Sequence, residues 1–246
     1  MNVTLTAFYG DKPEPFAALI REAQRLLKFL GDAFCPYDLR QVHATLFGLE
    51  GRVLRDGTIL NANYEALRGE ARIMRSADVV ELVRTSAYLP LAVRIGGYRT
   101  EVTYPFSSRG QHPWHRSFSI QGTRAVALGW PVDGSLYPSS LDAFRRDMNR
   151  ANVLHKYHAK PGDIDNDLFF VLGTVRPGVA EPPRLEATEQ RLREFLSGTW
   201  VELDVDRHDL QIVGYVDPTL PTASTVSHAL SSVDGATLDG LHRATS

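Results

Sequence analysis

With 246 residues, 43% of them hydrophobic and 23% charged, the chain has the composition of an ordinary globular protein and is long enough to close around one continuous core. Its 27 Lys and Arg against 29 Asp and Glu leave a net charge of −2, which excludes the broad positive field of a protein that holds duplex DNA without sequence preference. The single cysteine, Cys35, rules out an internal disulfide; Met1 to Pro15 lacks the basic start and apolar core of a signal peptide, and no apolar run approaches the roughly 20 residues of a membrane helix, so a soluble cytoplasmic protein without membrane contact is expected.

The N-terminus alternates Val3, Leu5 and Ala7 with Thr4, Thr6 and Phe8, which predicts a strand ending at Tyr9-Gly10. Behind Pro13 and Pro15, the residues Phe16, Leu19, Ile20, Ala23, Leu26, Leu27 and Leu30 recur at helical spacing up to Gly31. A second strand is expected over Gln41–Leu49, and a second helical stretch over 62–85. Leu91–Gly97, Ser117–Ile120 and Arg124–Trp130 read as a run of strands, interrupted by a loop rich in Ser, Gly, Pro, Trp and His. A helix from Ser140 to His155 then leads to a strand over Asp167–Gly173.

Strand, helix and strand thus occur twice at similar spacing, and each second strand ends in an apolar residue and glycine, Phe47-Gly48 and Leu172-Gly173, which suggests an internal duplication. A last helix over Ala187–Leu196 precedes strands over Val201–Val216, where the inward parity flips and demands a bulge or turn near Asp206-Arg207-His208. After Pro221 the composition turns to Ser, Thr, Ala and Gly, and residues 222–246 are expected to form a flexible tail outside a single domain of residues 1–221.

On a strand, His43 and Thr45 of Val42-His43-Ala44-Thr45-Leu46-Phe47-Gly48 share a face, so an imidazole and a hydroxyl can reach one phosphate together. This segment resembles the first H-x-T motif of the 2H phosphoesterases, the superfamily that includes LigT-like RNA phosphodiesterases, and the order of elements over residues 1–217 matches that family. The resemblance implies an α/β (α+β) two-lobed fold, with two antiparallel sheets, outer helices and a central cleft. It also implies a metal-independent hydrolase needing no cofactor, a phosphodiesterase acting on a 2′,3′-cyclic or related phosphodiester of a nucleotide or RNA end. In such a mechanism one histidine deprotonates water and another protonates the leaving oxygen.

The slot of the second motif holds Phe169 and Val171 in place of histidine and threonine, and neither side chain can move a proton. The first candidate for the missing group is His115, in the triplet His115-Arg116-Ser117 entering a strand. Around it Arg116 and Ser117 would hold phosphate, and Trp114 and Phe169 would stack a base. His112 lies nearby, and His155, His158 and His208 are further candidates; as structural residues, His155 and His158 would offset a helix dipole and His208 would sit at the bulge. Gly96-Gly97-Tyr98 reads as a strand bend, and Asp163-Ile164-Asp165-Asn166-Asp167 reads as a solvated turn, since it lacks the glycine and closing glutamate of a calcium loop. Two readings of function follow: a cyclic phosphodiesterase of the 2H type, or a binding module that keeps the cleft for a nucleotide, RNA or protein partner without the chemistry.

Overall fold

The structure, a computed structural model, describes residues 1–244. Strand β1 (Asn2–Ala7) leads to helix α1 (Glu14–Leu27), which starts at its prolines and buries the apolar stripe from Phe16 to Leu27. Gly31, at φ 60°, turns the chain into β2 (Phe34–Pro36). Strand β3 (Ala44–Gly48) follows, so His43 sits one residue before it rather than inside it. A small hairpin, β4 (Gly51–Val53) and β5 (Ile59–Asn61), precedes α2 (Ala62–Arg68) and α3 (Ser76–Arg84). The single helix expected over 62–85 is therefore two, because Gly69 adopts a left-handed φ of 66° and caps the first.

Next come β6 (Leu91–Gly96), the short helix α4 (Pro113–Ser117), β7 (Phe118–Gln121) and β8 (Arg124–Pro131). Helix α5 (Ser140–Asp147) runs into a 3-10 turn that Asn152 ends in the left-handed region. The chain closes with β9 (Leu168–Val175), α6 (Pro182–Gly198), β10 (Trp200–Val205), β11 (Leu210–Tyr215), β12 (Val226–Ala229) and α7 (Gly235–Arg243). The parity flip near Asp206 is a 3-10 turn over Arg207–Asp209 with a capping box between Asp206 and Asp209.

The architecture is α+β, as expected, but the strands outside the β4–β5 hairpin join in one antiparallel sheet of ten strands rather than two separate ones. Its main order is β10-β6-β8-β9-β3-β1-β11-β12, and the halves meet at a single register pair, Ala44 opposite Phe170. From there β3 and β9 splay apart. The sheet cannot be flat: β10 and β11 stand six strand spacings apart in that order, about 29 Å at the usual ~4.8 Å, yet the five residue steps from Val205 to Leu210 reach at most about 18 Å. The flanks must bend toward each other at that link.

The halves repeat one another in register. Leu5 and Thr6 face Phe47 and Thr45, which leaves Leu46 as an extra residue; Ala125 and Val126 face Gly173 and Val171, which leaves Leu172 as an extra residue. Each helix packs beneath the other half: Phe16 of α1 meets Phe170 of β9, and Phe144 of α5 meets Phe47 of β3. Val42, Ala44 and Leu46 are buried as their parity requires, with α5 as the helix beneath β3. This symmetry makes His43 equivalent to Phe169 and Thr45 to Val171.

The expected flexible tail is not observed in residues 222–244, and the core does not stop at residue 221. Strand β12 pairs with β11, and Leu230, Val233, Leu238 and Leu241 are buried, with α7 packed on α3. Arg84 donates to the carbonyls of Leu230 and Val233, and Asp234 caps α7 through the Thr237 amide. Four widely spaced aliphatic residues need no long periodic run when an apolar face, here Val79, Val80 and Val83 of α3, is waiting for them. Thr245 and Ser246, the last residues of the expected tail, lie outside the described residues.

Candidate functional site

Where β3 and β9 diverge, a cleft of about 210 Å³ opens on the face of the sheet opposite α1 and α5. His43 and Thr45 line it from one half, and Phe169 and Val171 from the other. These are the two motif slots, facing one cavity. Thr4, Arg124, Lys156, Tyr157 and Tyr215 contribute further wall.

The Nδ1–H of His43 donates to the carbonyl of Gln41 at 2.6 Å, because a carbonyl can only accept. This fixes the tautomer and leaves the Nε2 lone pair free. Burial pushes the His43 pKa down to about 4; the bond to Gln41 works against that shift and the charge of Lys12 adds to it. The free imidazole is therefore neutral at pH 7, a hydrogen-bond acceptor and a base. Tyr9 packs edge-on against the ring, 5.6 Å between centroids.

Behind Thr45 lies a buried polar network. Arg145, 2% exposed, comes from the apolar stripe of α5 and donates to the carbonyls of Thr45, Leu46, Asp165 and Asp167 and to the Asp165 carboxylate. It ties β3 to the segment entering β9. His155 borders the cleft but is committed to Asp165 through Nε2 at 2.8 Å, and its Nδ1 is buried. Burial lowers its pKa to about 4 against the opposing pull of Asp165. For Asp165 burial acts upward, but the His155 bond and the charge of Arg145 outweigh it and the pKa falls.

The other expected histidines stand elsewhere. His115, Arg116, Ser117 and Trp114 do not line the cleft, because Pro113 at the first turn and the His112 cap on the Trp114 amide start helix α4 instead of a strand. An H-x-S pair on a helix no longer shares a face. His115 is exposed beside Trp114 and His112; Arg116 pairs with Asp167 at 3.4 Å; Ser117 donates to the Trp114 carbonyl. Trp114 is buried and borders a separate groove with Arg99 and Glu194. His158 is buried on Asp142, and His208 is exposed between Asp206 and Asp209.

The segment expected as a solvated turn is instead structural: Asp165 and Asp167 are buried, and Asp167 accepts from Ser108 and from Trp130 at 2.6 Å. Among the described residues no group of three or more His, Cys, Asp or Glu could hold a metal ion, and no helix is long and apolar enough to cross a membrane.

Arg124, Lys156, Tyr157, Arg145 and Asp165 escaped the sequence reading. For Arg145 a signal existed: it shares a helical face with Leu141, Phe144 and Met148, and a charge on an apolar stripe needs a buried partner. For Arg124 the signal was weaker, since its equivalence to Thr4 of β1 follows only from the register.

No protein-family model matches the chain, and no curated protein matches it. Among solved structures, it is similar to the crystal structure of TT0787 of Thermus thermophilus, at 15% identity and a TM-score of 0.40, covering 94% of this chain and 95% of that one.

Proposed function

We propose that the cleft is a 2H-like binding site for a nucleotide or RNA end carrying a phosphate, and that it holds its ligand without turning it over. The observation that carries this reading is the pairing of unlike residues across the two halves: a free imidazole and a hydroxyl at His43 and Thr45, against a phenyl and an isopropyl group at Phe169 and Val171. Opening a cyclic phosphodiester needs a base and an acid on opposite sides of phosphorus. The first half supplies a base, and the second supplies apolar surface suited to a ribose or a base. Arg124 and Lys156 add positive charge to the cleft wall.

A phosphodiesterase is the second reading, favoured by the Gln41 bond that frees Nε2 of His43 as a general base. Calorimetric titration of the full chain with 2′,3′-cyclic AMP, adenosine 3′-phosphate and adenosine, alongside a hydrolysis assay, separates the two. The expected result is saturable binding of the phosphate-bearing compounds, no turnover, and a roughly 10- to 100-fold weaker complex in His43→Ala. Because an anionic phosphate beside His43 favours its protonated form, affinity for 2′,3′-cyclic AMP, whose diester charge is constant over this range, should rise as the pH falls from 7 toward 5. Turnover that His43→Ala abolishes would replace this reading with the enzyme. Absence of binding by all three compounds would remove both.

A further inference from the structure

The half of the cleft that lacks a histidine does not lack a cation. Arg109 stands at the tip of a turn in which Ser108 and Gln111 exchange backbone hydrogen bonds at 3.0 and 2.9 Å. Its guanidinium lies 5.4 Å from the ring centroid of Phe169 and 4.8 Å from that of Tyr157, and both rings line the cleft. Arg109 itself lines a neighbouring cavity of about 330 Å³ with Phe106, Trp130 and Tyr137, and its link to the cleft is through the two rings it stacks on.

This guanidinium is held only by two long ion pairs. Its approaches to Asp165 and Asp167 are both 3.7 Å, beyond hydrogen-bond range, and it makes no side-chain hydrogen bond among the described residues. Asp167 already has closer donors in Ser108 at 2.8 Å and Trp130 at 2.6 Å, and Arg145 and His155 both bond Asp165 through Oδ2, at 2.9 and 2.8 Å, so that Oδ1 of Asp165, buried without a hydrogen bond, is the protein acceptor left facing Arg109. Stacked on two rings and 42% exposed at the side chain, the five N–H donors are held by two long ion pairs and remain able to turn to a stronger anionic acceptor. The backbone is also unusual, because Arg109 holds φ 49° ahead of Gly110 at 75°. Asn, Asp and Gly fit such a turn, and an arginine there is disfavoured.

We propose that Arg109 takes the place of the second imidazole: poised over Phe169, the residue equivalent to His43, it closes its guanidinium on the phosphate oxygens of the nucleotide from the side of the cleft opposite His43. The fork geometry suits a bidentate grip on phosphate. A guanidinium stays protonated at any physiological pH, so this substitution keeps the anion site and removes the acid of an acid–base pair. The inference rests on the binding function proposed above and names the group that completes it.

The test uses the full chain, with adenosine 3′-phosphate and adenosine as probes, in Arg109→Asn, Arg109→Ala and Arg109→Lys. Arg109→Asn should weaken adenosine 3′-phosphate by about 10- to 100-fold, leave the binding of adenosine within about twofold, and keep or raise the melting temperature, since asparagine tolerates the left-handed turn. Arg109→Ala should weaken the phosphate compound to the same extent, and Arg109→Lys should recover part of the loss through its charge. A merely structural arginine would lower stability and weaken both probes together, and that outcome overturns the proposal. Unchanged or tighter binding of adenosine 3′-phosphate in Arg109→Asn also overturns it, while leaving the cleft as the binding site. Failure of the parent chain to bind either probe would overturn the binding function itself, and this proposal with it.

Discussion

Replacing Arg145 by methionine tests the polar network that holds the two halves of the sheet in place beneath the cleft. The side chain is buried and makes five hydrogen bonds, to four carbonyls and to the Asp165 carboxylate. Methionine fills much of the volume but satisfies none of these acceptors, and it leaves Asp165, 2% exposed, with a buried negative charge that only His155 still contacts within hydrogen-bond range. Breaking one side of a buried ion pair costs about 3 to 5 kcal/mol. For a chain of this length that corresponds to a fall in Tm of about 6 to 20 °C, at ~2 to 4 °C per kcal/mol. Urea unfolding followed by circular dichroism, together with calorimetry, would measure both numbers. Adding Asp165→Asn removes the orphaned charge, so the double mutant should recover about 1 to 3 kcal/mol relative to Arg145→Met alone. A single-mutant loss under about 1 kcal/mol, or strictly additive costs in the double mutant, would refute the view that this pair anchors β3 to the entry of β9.

His155 and His242 are both buried, with pKa values pushed down to about 4 by desolvation, whereas the unfolded chain binds those protons near pH 6.5. Their contribution is therefore complete above about pH 6.5 and is lost as the pH falls toward 4, by about 3 kcal/mol for each group; urea unfolding of His155→Gln should show a visibly shallower decline between pH 7 and 4.5 than the parent, and an equal slope would contradict the assignment. Leu238 is fully buried on α7, so Leu238→Ala should cost about 2 to 5 kcal/mol in the same assay, and a change below about 0.5 kcal/mol would mean that the C-terminal helix does not belong to the core.

What the amino-acid order determined by itself is local: which residues share a face and where the chain must turn. Alternation around His43 and Thr45 was enough to put an imidazole and a hydroxyl on one side, and the repeated strand, helix and strand pointed to Phe169 and Val171 as the matching pair. The parity flip at Asp206 correctly required a turn. Periodicity reports that a face is apolar, however, and is silent on which distant segment will cover it.

Only the tertiary structure joined β3 to β9 at Ala44 and Phe170, exchanged α1 and α5 between the halves and seated α7 on α3. His115 left the site because Pro113 and the His112 cap favour a helical turn over a strand, a local contest that the β-rich surroundings concealed. Arg145 stood out on its apolar stripe, but its partner Asp165 did not, since the stretch of 19 residues between them carries no trace of the contact.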